Sequence, residues 1–274
     1  MYTSGLKMTS IEVSLDTLYA AEKYMISELI LLCLLHLDVN LSTNNVLVIY
    51  PDIRNYANVR NVTQEMGVDH ADENPYIPLL NRCLERMDNY AEQVLLSEDF
   101  DALSDIEIIS EIVFRDNLQV NSELTVFGAL QRWATRQCKC RQTEMTSSNK
   151  RKFLGSALYA VRYLLMSKEE FLGGPYASDL LTEEEKTWML ARICGHHDPG
   201  EPPHPIADRM HYLERRRGIS NIMVKGVTGQ GRYDTSCQTL ASLSNCDTSI
   251  KKKKCCKVSK VFFECFRCLS LVFD

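Results

Sequence analysis

Cysteine, histidine and glycine are the residues of this 274-residue chain whose spacing comes nearest to recognisable chemistry. Cys194, His196 and His197 stand together, and Cys255, Cys256, Cys265 and Cys268 gather four thiols near the C-terminus. A structural zinc site needs donors in two closely spaced pairs, and neither set repeats that spacing at both ends. Cys138 and Cys140 lie two apart in a helical pattern, which directs them away from each other. Gly226, Gly229 and Gly231 form a GxxGxG run, but no strand precedes it and no helix follows, so it does not build a phosphate cradle. There is no GxSxG, no Walker loop and no HExxH to bring a nucleophile, base and stabiliser into one cleft. The expectation is a protein that is not an enzyme and holds no metal and no cofactor.

The composition supports a folded interaction protein. An apolar fraction of 45% and a charged fraction of 24% are ordinary for a globular chain and exclude a wholly disordered one. The eleven cysteines are odd in number, and the opening Met1 to Val13 carries Thr3, Ser4, Lys7 and Ser10 instead of an apolar leader core. Free thiols in the cytosol are therefore expected, with peripheral membrane as the alternative location. The net charge of −5 divides unevenly: residues 251–274 hold seven Lys/Arg against Glu264 and Asp274, giving +5 there and −10 before it. An acidic body argues against nucleic acid as the partner, because such binding depends on neutralising phosphates.

Most of the chain reads as helix. Leu15, Leu18, Tyr19, Tyr24, Met25, Leu29, Leu32, Cys33 and Leu37 recur at three- and four-residue steps, with Ser27 as a dividing point. Ser42 is the expected N-cap of a helix carrying Val46, Leu47, Ile49, Tyr50 and Ile53, which Pro51 should bend or end. Tyr56 to Pro75 reads as a surface loop, and helix resumes at Ile77 and continues through Leu95. Three capping boxes are expected, Ser104 with Glu107, Ser167 with Glu170, and Thr182 with Glu185. Long stripes run through Phe127 and Trp133 and from Phe153 to Leu165; Gly173, Gly174 and Pro175 should stop a later helix before one ending at Cys194. The sum is an all-α array of roughly eight or nine helices in antiparallel pairs, with residues 195–250 left disordered.

Several blocks carry a resemblance. LDTLYAAEKYMISELILLCLLHL is similar to the closing helices of a BTB domain. LSTNNVLVIY, RCLERMDNYAEQVLLSEDFDAL, RDNLQVNSELTVFGALQRWATRQC and NKRKFLGSALYAVRYLLMSKEEFLGGPYASDLLTEEE resemble, in order and spacing, the BACK domain of BTB-BACK proteins. The resemblance covers Ser14 to Cys194 and implies a remnant of the BTB helices over 1–40 and a BACK-like domain over 41–194. It places Phe127, Trp133 and Ala134 on a central helix and Phe171 on a short later one, all as core. Arg162, a charge on an apolar stripe, is the candidate for a buried ion pair. The resemblance further implies protein partners, namely a cullin-3 ubiquitin ligase and its substrate, with Leu41, Val46, Leu47 and Tyr50 of the first helix pair as the contact residues. The main BTB surface would have to precede Ser14, so a second expectation is a regulatory helical protein that binds partners without recruiting the ligase.

The tail is separate. Lys251, Lys252, Lys253 and Lys254 precede Cys255 and Cys256, and Phe262, Phe266 and Leu269 fall on one helical face. A basic amphipathic stretch beside cysteines suggests contact with an anionic membrane surface.

Overall fold

The computed structural model describes residues 8–65, 74–196 and 200–217, and its helices follow the 3.6-residue stripes of the sequence. The first is α1 (Ile11–Lys23), N-capped by Ser10, whose hydroxyl accepts the Val13 N–H. It packs antiparallel on α2 (Ser27–Val39) through a tight turn in which Met25 takes a positive φ of 54°. Next comes α3 (Val46–Glu65), which runs through Pro51 and across the stretch expected to be loop from Tyr56 onward. Pro51 lies in the helix's second turn, so its missing N–H leaves the Leu47 carbonyl without that partner, yet the helix continues. Ile53 and Ala57 bury the inner face there. Asn45, and not Ser42, ties the entry turn: its side chain accepts the Ser42 N–H and donates to the Asn40 carbonyl.

Short helices follow: α4 (Ile77–Asn89), α5 (Ala91–Leu96), α6 (Glu98–Ala102) and α7 (Ile106–Val113). The expected single run from Ile77 to Leu95 breaks at Tyr90. The cap of α7 is Asp105, whose carboxylate accepts the Glu107 N–H, so the expected box from Ser104 is not formed. The boxes at Ser167 and Thr182 are both complete.

The centre of the array is α8 (Glu123–Cys140), against which α5, α6 and α9 (Ser147–Leu154) pack. Trp133 is 1% exposed and donates its indole N–H to the Leu103 carbonyl at 2.7 Å; Gln137 donates to the same oxygen at 3.0 Å. The stripe from Phe153 to Leu165 is not one helix. Gly155 adopts φ 49°, a region that suits a residue without Cβ, and the chain goes on as 3₁₀ turns over Gly155–Ala160 and Tyr163–Leu165 with Arg162 between them. Then come α10 (Lys168–Phe171), a wide turn over Leu172–Tyr176, and α11 (Glu183–Ile193). A Cβ at Gly174 would lie 2.3 Å from Leu124 Cδ1, so a larger residue there would have to displace that side chain. Phe127, Tyr163, Phe171 and Tyr176 form a chain of edge-to-face rings, successive centroids 6.2 to 6.4 Å apart.

The folded body does not end at Cys194 as the sequence suggests. Residues 200–217 form a strap with a short 3₁₀ turn (Ala207–Arg209) and α12 (Met210–Leu213), pinned by fully buried Ile206 and Leu213. Twelve α-helices and no strands occur among the described residues, an all-α array around one apolar core running from Leu18 to Leu213.

Candidate interaction surfaces

The four residues expected to meet a partner are packing residues. Leu41, Val46, Leu47 and Tyr50 are each 7% exposed or less. Tyr50 donates its hydroxyl to Glu111 at 2.9 Å, and burial together with the Glu111 charge pushes its phenol above the ordinary range. Arg54 pairs with the same carboxylate, so α3 is fastened to α7. An apolar stripe at helical spacing reports burial, and here its partner is the chain itself.

The exposed apolar surface lies one step earlier. The sequence of α2, SELILLCLLHLDV, is apolar nearly all round, but only Ile30, Cys33, Leu34 and Leu37 are buried. The opposite row, Glu28, Leu32, Leu35 and Val39, faces outward at i, i+4, i+7 and i+11, with Leu32 and Leu35 half-buried and Val39 72% exposed. At the α1–α2 turn, Tyr24 is 68% and Met25 85% exposed. A helix apolar on every side is ordinarily covered on every side, so the lack of amphipathic contrast in α2 was the available sequence signal for this surface.

A buried ionic cluster gathers where α7 ends and α8 begins. Arg162 is fully buried; its Nη2 donates to Asp116 at 2.7 Å, its Nη1 to the Arg215 carbonyl, and its backbone N–H to Glu123 at 3.0 Å, while Nε meets no acceptor. The expectation of a buried ion pair is met. Arg217 brings a second guanidinium, 4% exposed, whose Nε is 2.6 Å from Glu123. Its Nη atoms reach the carbonyls of Val113 (2.6 Å), Arg115 (2.7 Å) and Ala160 (2.9 Å). Arg215 pairs with Asp116 at 2.8 Å, and the Tyr212 ring packs edge-on against Phe114. Sequence reasoning missed this arrangement, since the acceptors of Arg217 lie 57 to 104 positions before it.

Nearby, Arg115 forms a two-pronged pair with Asp88 at 2.6 and 2.7 Å at the edge of an open recess of about 370 Å³ lined also by Asn81, Leu84, Glu85 and Gln119. Among the described residues no group of His, Cys, Asp and Glu has metal-binding geometry. Cys194 is exposed at the end of α11, Cys138 is buried and Cys140 exposed. No helix among the described residues is long and apolar enough to cross a membrane. His197, the run Gly226, Gly229, Gly231 and the tail residues Lys251 to Lys254, Cys255, Cys256, Phe262, Phe266 and Leu269 lie outside the described residues.

Comparison with known proteins gives the family. Residues 67–173 match the family model for BACK, "BTB And C-terminal Kelch". The human BTB/POZ domain-containing protein 6 is 36% identical over 185 residues, covering 68% of this chain and 30% of the relative. The Xenopus tropicalis protein of that name is 36% identical over 171 residues, covering 62% and 28%. Human BTB/POZ domain-containing protein 3 is 33% identical over 171 residues, covering 62% and 29%. The matched segment thus spans about a third of these relatives. No solved structure matches the chain, and no catalytic family is indicated. With Trp133 at the centre of its helices and Arg162 in its ionic cluster, the chain is a BACK-domain protein of the BTB/POZ-related kind.

Proposed function

We propose that this chain is a non-enzymatic adaptor, whose BACK helices hold a protein partner in a fixed position relative to a cullin-3 ubiquitin ligase. The observation that carries the reading is the outward apolar row of α2, Leu32, Leu35 and Val39, beside the BACK-matched body. Apolar side chains left partly open at helical spacing, as half-buried Leu32 and Leu35 are beside exposed Val39, are a usual footprint of helix-mediated protein contact. The row replaces Leu41, Val46, Leu47 and Tyr50 as the contact set, because those four are needed inside. Specific interfaces bury at least about 1,000 Å², more than this row alone offers, so ligase binding is expected to need a complete BTB domain beside it.

The test is a pull-down from cell lysate with this chain and with the same chain extended at its N-terminus by a complete BTB domain. The extended version should retain cullin-3 and the chain alone should retain little. Failure of the extended version to retain cullin-3 would remove the ligase from the proposal. A double substitution Leu32→Glu and Leu35→Glu that leaves retention unchanged would remove the α2 row.

A further inference from the structure

The helical body buries a carboxylate for which it supplies no cation. Asp88 is met by Arg115 and Asp116 by Arg162, both within the body, whereas Glu123, 8% exposed, receives from the body only the Arg162 backbone N–H. Around the same point, three carbonyl oxygens converge. Those of Val113 and Arg115 stand where α7 ends, and that of Ala160 where the first 3₁₀ turn ends. Carbonyls at helix ends lack intrahelical partners and carry partial negative charge, so carboxylate and carbonyls together make a pocket for a cation with several directed donors. A planar guanidinium fits it: Nε and Nη2 span the two Glu123 oxygens at 2.6 and 3.3 Å while the outer donors take the carbonyls. An ammonium has neither the fork nor the reach to do this.

Every acceptor in this pocket belongs to residues 113–160, yet the guanidinium that fills it arrives 57 to 104 positions later, on Arg217. The strap that delivers it has one four-residue helix, with Ile206 and Leu213 as its buried apolar anchors and ionic ties from Arg215 to Asp116 and from Glu214 to Arg192. We propose that the pocket is a guanidinium-binding site of the BACK body, held in cis by Arg217, that accepts an arginine-bearing segment of a protein partner when the strap is displaced. The Leu213 to Arg217 spacing defines the partner: an apolar residue four positions before an arginine, so that one anchor and one fork are replaced together. A tethered segment competes at millimolar effective concentration, so a partner must match both features to win. This extends the interaction reading to a second face and is independent of cullin-3.

Two measurements on the full chain test the site. In the first, Arg217→Ala should melt below the parent, and millimolar N-acetylarginine amide should restore at least half of the loss in a saturable way. N-acetyllysine amide should not, and neither compound should rescue the variant that also carries Glu123→Gln. Equal rescue by both amides, or none by either, would make Arg217 a structural closure only. In the second, a fluorescent peptide with the sequence of residues 213–217 should bind Arg217→Ala at least about tenfold tighter than the parent, whose own arginine excludes it. Equal affinity would overturn the proposal. Should Arg217→Ala fail to fold, Arg217→Lys keeps the charge without the fork and serves both measurements with the same expected order. Cullin-3 retention by the BTB-extended chain should be unchanged by Arg217→Ala, so the two proposals fail separately.

Discussion

Trp133 shows how much one side chain can hold. Its ring is enclosed by the core and its N–H meets the Leu103 carbonyl, so Trp133→Ala removes a large apolar volume and half of the donors to that oxygen. Thermal or urea denaturation should report a loss of about 3–5 kcal/mol, much of the stability of a domain this size. Thiol accessibility gives a gentler check. Burial pushes the Cys33 thiol up to about 11 and the Cys83 thiol up to about 12, and Cys138 has no exposed surface. In chains carrying Ser at the six cysteines beyond residue 217, Cys140 and Cys194 should react with a thiol reagent at neutral pH. The three buried cysteines should react only on unfolding. Trp133 and Arg162 were legible from sequence, one as a large ring on an apolar stripe and the other as a charge on such a stripe. Arg217 was not, because Glu123 and the three carbonyl oxygens it meets lie 57 to 104 positions before it, and no local spacing announces them.

At the level of elements, the capping boxes at Ser167 and Thr182 could be read directly, since an N-cap and its N3 partner are three residues apart and need no tertiary contact. The Ser104 box failed because α7 begins one residue later than expected, with Asp105 as its N-cap, so Ser104 and Glu107 do not stand at the N-cap and N3 positions. Helix continuity was the least legible property: Pro51 sits inside a helix, while Gly155 and Tyr90 divide stripes whose apolar spacing never falters. Tertiary packing decides those cases, and periodicity does not record it. The α11 cap also predicts an acid response. Burial raises the Glu185 carboxyl, but bonds from Arg151, Tyr159 and the Thr182 N–H outweigh it and hold the group below 4.5. The stabilisation is therefore complete above the unfolded-state value and is lost as pH falls through the lower folded-state value. Melting temperature followed from pH 7 to pH 3 should drop on the acid side, and Glu185→Gln should flatten that drop while lowering stability at neutral pH. Thr182→Ala, which removes only the cap, should cost about 1 kcal/mol without changing the slope.

For the whole molecule, the family and the all-α class were legible because several quoted blocks had to occur in order, and order is preserved where single positions drift. The surface was less so. The stripe containing Leu41, Val46, Leu47 and Tyr50 announced burial but not against what, and α7 proved to be part of the answer through Tyr50 and Glu111. The strap carries a consequence in time. Chains are made from the N-terminus, so residues 113–160 can fold well before Arg217 leaves the ribosome, and for that interval Glu123 waits with one backbone donor. Closing a contact across about a hundred residues is slow compared with forming the local helices it locks. The body should therefore acquire its helices first and its protease resistance near the ionic cluster last. That order makes Arg217 a latch on finished domains and leaves a brief, synthesis-coupled window in which the pocket is open to other arginines.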